Sequence, residues 1–221
     1  MSTDVKMADM AQARPYRGVD AADRLAGRRR RLLEAGLELL GTPDGDPAEL
    51  TVRAICAQAG LGLRYFYESF SDKDDFLAAV YDAVVADIAA TTQAAVAAAP
   101  PDQQARAGMA NIVRTISADN RVGRLLFSVE LSNAVIVRKR AESSALFAGL
   151  LFAHAEALGA PDTEWVRAAS HFAVGGVGQT ISAWLSGDLK LSAEQLIDHL
   201  AATLEVLTDP PRAGDNEPDR R

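Results

Sequence analysis

The stretch TVRAICAQAGLGLRYFYESFSDK, running from Thr51 to Lys73, decides how this chain is read. Thr51 is an N-cap residue type directly ahead of Val52, Ile55, Cys56 and Ala59, which recur at helical spacing. Gly60 stands where a helix end favours a residue free to take positive φ. A second short helix is predicted from Leu61 or Gly62 to Ser69. It turns Leu61, Phe66 and Phe70 inward and Leu63, Arg64, Tyr65, Tyr67 and Ser69 outward. A short helix, a glycine turn and a second helix presenting aromatics and an arginine form the layout of a helix-turn-helix.

Outward from that stretch, composition narrows the classes. A chain of 221 residues with 48% hydrophobic and 24% charged content has globular values and can bury a sizeable core. Its apolar stretches, 78–99 and 144–158, are Ala-rich, amphipathic or broken by charge, so a membrane span is not expected. The N-terminus lacks the basic-then-apolar pattern of a secretory signal. The lone Cys56 excludes an internal disulfide framework and suits the cytoplasm; it reads as a small buried hydrophobe. The net charge of −7 looks unfavourable for a nucleic-acid binder until its distribution is considered. Residues 1–73 are charge-balanced and the entire acidic excess lies beyond them. Arg24 and Arg28 to Arg31 cluster with no acid between them. A phosphate backbone responds to charge within a Debye length, ~8–10 Å, not to the total.

Taken in order, residues 1–19 read as an arm around Arg14-Pro15-Tyr16-Arg17, either inert or reaching toward a DNA backbone. A first helix is predicted over 20–40, with Leu25, Leu32, Leu33, Gly36, Leu37 and Leu40 on one face. The arginines at 28–31 read either as a solvated face or as phosphate contacts. Two Pro and two Gly make 41–47 a loop. A long helix over 74–98 carries Phe76, Leu77, Val80, Val84, Ile88 and Val96 as its stripe and ends at Pro100-Pro101. At 1.5 Å per residue it spans nearly ~40 Å, enough to act as a stiff connector. Further helices are expected near 102–118, 121–132, 135–158, 163–186 and 192–207, with Thr163 and Ser192 as N-caps and Gln195 completing a capping box. Residues 209–221 read as a polar tail. The fold class is therefore all-α, with no strand pattern and no internal repeat.

The elements Thr51-Val52 with Ile55, Ala59-Gly60-Leu61, Phe66-Tyr67 with Phe70, and Ser71-Asp72-Lys73-Asp74 resemble the DNA-binding signature of the tetracycline-repressor (TetR) family. Gly62, Arg64 and Tyr65 depart from the common residues of that signature, and the connection over 41–50 lacks its Gly-aromatic pair. The resemblance implies an N-terminal three-helix helix-turn-helix DNA-binding domain over 20–73. It implies a C-terminal helical ligand-binding and dimerisation domain over 74–208. Arg53 and Arg64 are the expected base readers, since Arg bridges guanine O6 and N7 bidentately, and Leu63 suits a thymine methyl. Tyr65, Tyr67, Ser69 and Lys73 are expected on phosphates, with Tyr67 and Lys73 matching the family's phosphate positions.

The same resemblance implies an apolar effector pocket and a homodimer built through the last two long helices. Pocket candidates are Met109, Ile112, Val113, Ile116, Phe127, Phe147, Leu151 and Phe172, with Glu130 and His171 as polar handles; each is equally acceptable as a plain core residue. The small residues Ala169, Ala173, Gly176 and Thr180 suit the dimer interface. Val174-Gly-Gly-Val-Gly-Gln-Thr180 is not a phosphate loop, because Gln179 stands at the lysine position and the flanks are helical. His154, His171 and His199 lack metal-site spacing, no nucleophile–base pair stands out, and no metal, cofactor or enzymatic activity is expected. The reading that follows is a ligand-responsive repressor of transcription that binds double-stranded operator DNA. An all-α small-molecule carrier or enzyme without DNA binding is the alternative.

Overall fold

The structure is a computed structural model and describes residues 18–42 and 45–208; the arm over 1–17 and the tail over 209–221 lie outside the described residues. The described chain contains no strand. Its helices are α1 (Gly18–Gly41), α2 (Val52–Ala59), α3 (Leu63–Tyr67), α4 (Lys73–Ala98), α5 (Gln104–Ala118), α6 (Asn120–Phe127), α7 (Ala134–Ala157), α8 (Glu164–Leu185) and α9 (Ala193–Thr208), with a 3₁₀ turn at Pro101–Gln103 before α5.

Local chemistry accounts for the helix ends. Thr51 Oγ1 accepts the Ala54 N–H at 3.1 Å, which starts α2. Gly60 adopts φ 62° and closes α2 as the pivot of a Schellman motif. Its own N–H reaches the Ala57 carbonyl at 3.1 Å, and the Leu61 N–H reaches Cys56 at 2.9 Å. A side chain at Gly60 would cost ~1–2 kcal/mol for the left-handed conformation alone. Asp72 caps α4 through the Asp75 N–H at 2.8 Å. The expected capping box before α9 is present: Gln195 N–H to Ser192 Oγ at 3.2 Å, and Ser192 N–H to Gln195 Oε1 at 2.9 Å.

Around the N-terminal end of α4, Phe66 (α3), Phe70 and Phe76 (α4) meet with ring centroids 5.1–5.4 Å apart. All three are buried, and each contributes roughly 1.5–3 kcal/mol by leaving water. Gly36 lets α1 cross α4 closely, because a Cβ there would lie 2.6 Å from Phe76 and Val80 side-chain atoms. A second tie runs from α1 to α6, where Arg121 pairs with Glu34 and with Asp119. The two carboxylates hold the Arg121 guanidinium well above its ordinary pKa, Asp119 contributing most. The core continues without interruption from Leu32 through α4 to Leu204. The long helix is thus packed along Phe76 to Ala89 against α5 and α7, and is not a free-standing connector.

Three expectations are corrected. Leu25 is 42% exposed, because the burial of α1 begins at Leu32, where the other helices meet it. The second helix of the helix-turn-helix is one short segment ending at Tyr67, with Glu68 as its C-cap. Helix α6 stops at Phe127 rather than near 132, since Ser128 turns extended (ψ 125°) and the chain loops to bury Leu131. The glycine-rich run over 174–180 is continuous helix within α8.

Candidate functional site

Two regions hold the residues singled out in the sequence. The first is the outer face of α2 and α3. Leu63, Arg64, Tyr65 and Tyr67 are exposed along α3, and Arg53 is exposed in the first turn of α2. The Arg64 side chain is 87% accessible. Its Nε donates to Glu68 at 2.9 Å, an exposed pair worth at most ~1 kcal/mol and therefore easily exchanged for another acceptor.

The arginines of α1 do something the sequence left open. Arg31 Nη2 donates to the Ala59 carbonyl at 2.6 Å and to Gly60 at 3.3 Å, satisfying the C-terminal end of α2. Arg29 donates to the Ser69 carbonyl at 2.9 Å and lies 4.4 Å over the Phe70 ring. Arg28 stacks on Tyr65 at 4.6 Å and pairs with Glu68 at 3.3 Å. These three side chains staple α1 to the helix-turn-helix, and Arg30 and Arg31 remain exposed. Glu68, which the sequence reading passed over, is the carboxylate shared by Arg28 and Arg64.

Two expected contact residues are turned inward. Ser69 Oγ is shut off from solvent. Lys73 Nζ donates to the carbonyls of Pro47 at 3.1 Å and Ala48 at 3.4 Å, fastening the loop before α2 onto the start of α4.

The second region is a cavity of about 1360 Å³ walled by α4, α5, α7 and α8 and touched by the ends of α6 and α9. That exceeds the ~300–1,000 Å³ usual for small-ligand pockets. Six of the ten candidates line it: Met109, Ile112, Ile116, Phe127, Phe147 and Leu151. Val113 is fully buried in the core behind that wall. Glu130 lies on the loop after α6 and pairs outward with Arg124 at 2.9 Å. His171 and Phe172 face away from the cavity, Phe172 being 69% exposed, because α8 directs Ala173, Val177 and Ile181 inward.

Among the polar groups that reach the cavity are Tyr81, Arg140 and Ser143 at one end, His154 farther along, and Gln93, Gln104 and Asp102 toward the other end. Ser143 Oγ donates to the Arg140 carbonyl at 2.9 Å and sits 3.1 Å from Tyr81 Oη. With the serine proton so placed, Tyr81 is the donor in that pair. Arg140 Nη2 donates to the carbonyls of Ser128 at 2.7 Å and Leu125 at 3.1 Å, closing the C-terminal end of α6. Burial pushes the Tyr81 hydroxyl up and the Arg140 guanidinium down from their ordinary values. The signal for Arg140 was present in the sequence. Ile136, Arg140, Ser143, Phe147 and Leu151 share one helical stripe, which the neighbouring charges at 138, 139 and 142 obscure. Among the described residues no group of His, Cys, Asp and Glu could hold a metal ion, and no helix is long and apolar enough to cross a membrane.

The outer faces of α8 and α9 expose Trp165, Phe172 and Val206. Ala173 faces the core, so the expected small-residue strip is split; the open positions are Gly175 and Gly176, next to which a Cβ would meet nothing. Exposed Trp165, Ala168, Phe172, Gly175 and Gln179 recur at coiled-coil spacing.

No family model and no curated protein matches the sequence. Solved structures match throughout. A TetR-family transcriptional regulator from a Rhodococcus species superposes with a TM-score of 0.68 at 15% identity, covering 83% of this chain and 99% of its own. The fatty acid degradation regulator FadR from Bacillus halodurans gives 0.64 at 16% identity, over 84% and 96%. FadR from Bacillus subtilis, solved in complex with stearoyl-CoA, gives 0.61 at 18% identity, over 81% and 97%. The chain therefore has the fold of the TetR-type regulators, as its helix-turn-helix signature implied.

Proposed function

Proceeding from that fold, we propose that this protein is a sequence-specific DNA-binding regulator of transcription whose hold on its operator is released by a small molecule in the cavity. The division expected at residue 73 places the DNA reader before α4 and the effector and dimerisation part after it. One observation carries the reading. Helix α3 is fastened from behind by Phe66 and its surroundings by the Arg28, Arg29 and Arg31 staples, while Leu63, Arg64, Tyr65 and Tyr67 are exposed in front. A carrier or enzyme has no use for an exposed, rigidly braced helix of that composition, whereas a major-groove reader needs one.

The coupling between the two regions runs through shared elements. Helix α4 supplies Phe76 to the core under α3 and, farther on, the cavity wall from Tyr81 to Ala97. A ligand that displaces α4 must therefore move the reader. Such coupling is reciprocal, so operator DNA must weaken ligand binding by the same factor. A ligand bound equally well with and without operator would remove induction from the account. Dimerisation through the exposed α8 and α9 faces would pair two readers across a palindromic site.

A gel shift of the full chain on its own upstream DNA, run against random DNA over a range of salt, tests the reading. Preferential binding that weakens as salt rises is expected. Equal or no binding to both DNAs would leave the carrier or enzyme alternative.

A further inference from the structure

The cavity has a polarity that its volume alone does not reveal. Lining positions on α4 run from Tyr81 to Ala97, about 24 Å at 1.5 Å per residue, and those on α7 run in parallel from Arg140 to Ala157. The space is thus a long slot whose walls are chiefly aliphatic. At the end nearest the helix-turn-helix sits Arg140; at the other, where α4 runs out, exposed Asp102 and Glu205 line it.

Arg140 is a cation without a counter-ion. Among the described residues it makes no pair with a carboxylate, and its two hydrogen bonds both leave Nη2 for neutral carbonyls. Its Nε is shut off from solvent without a partner, and Nη1 donates to no described group. A guanidinium has five N–H donors, and drawing it out of water without an anion is unfavourable. The fall in its pKa through burial has the same origin.

We propose that the slot binds an elongated apolar molecule with a single anionic head, the head seated on Arg140 and the body laid along α4 and α7. This rests on the cavity being the effector site. The Asp102 carboxylate repels the head at the far end, so the ligand enters with one orientation. A carboxylate on Nη1 gains a charge-assisted hydrogen bond at a donor that no described group accepts from. A neutral chain of equal length gains only the apolar walls, and a cationic one meets Arg140.

The test uses the full chain and three probes below their micellar concentrations: hexadecanoate, hexadecanol and hexadecyltrimethylammonium, titrated by calorimetry. Hexadecanoate is expected to bind at least tenfold more tightly than the alcohol, and the ammonium most weakly. Arg140→Gln should erase the preference by weakening the acid alone. That variant also frees the Leu125 and Ser128 carbonyls and can fail to fold. Ser143→Glu keeps those bonds and sets a carboxylate one turn from Arg140, and it should erase the preference equally. An alcohol or ammonium bound as tightly as the acid, or a preference untouched in the folded variants, would overturn the proposal. Operator binding by a wild-type protein that takes up none of the three would also overturn it, leaving the DNA reading intact. Hexadecanoate binding without effect on any DNA complex would uphold the ligand class while removing its regulatory role.

Discussion

At the scale of single residues, arginines close in space have opposite assignments. Arg28, Arg29 and Arg31 are consumed in holding α1 to the reader, whereas Arg64 projects from α3 with only an exposed partner in Glu68. Arg64 is thus an arginine side chain available to a guanine edge. A bidentate contact of that kind discriminates by roughly 1–3 kcal/mol, which is about 5- to 150-fold. Arg64→Ala is expected to weaken binding to the cognate site by that factor in a fluorescence titration while leaving random DNA nearly unaffected. Equal losses on both would place Arg64 on a phosphate. The exposed character of Leu63, Arg64, Tyr65 and Tyr67 was legible in the sequence because helical periodicity separates them from Phe66 and Phe70. The inward turn of Ser69 and Lys73 was not. It depends on the Pro47 and Ala48 carbonyls, which come from another segment, and on a helix that ends two residues sooner than its pattern suggests.

At the scale of elements, capping chemistry was the most legible feature. Thr51, Gly60, Thr163 and Ser192 each close or open a helix by bonds to residues at most five positions away, so local sequence contains the whole interaction. Which face of α8 is inward was not local, and a rotation of about 100° per residue separates Ala173 from Phe172. The sequence reading put Phe172 at the pocket and Ala173 on the dimer strip, whereas Ala173 is buried and Phe172 exposed. An exposed Trp165 and Phe172 flanking Gly175 and Gly176 suit a partner helix, and an aromatic anchor at the centre of such an interface is worth ~2 kcal/mol or more. Phe172→Glu is expected to raise the dimer dissociation constant at least about 30-fold in analytical ultracentrifugation, with the thermal transition of the monomer preserved. An unchanged sedimentation profile would assign dimerisation to another face.

For the whole molecule, the all-helical fold of the described residues was readable from periodicity, and the charge distribution sets a neutral N-terminal third apart from an acidic remainder. The size and polarity of the cavity were not readable. They arise from α4, α5, α7 and α8 meeting at a distance, and aliphatic residues that line a space have the same sequence pattern as residues that fill one. A reader braced from behind, a helix shared with the cavity and an outer face suited to pairing together define the geometry proposed on DNA. Hydroxyl-radical footprinting of the full chain on its own upstream DNA tests that geometry most directly. Two protected patches on one face of the duplex are expected, their centres ~34–36 Å apart or a multiple of that, about one helical turn. A single patch, or protection spread evenly along the fragment, would contradict it.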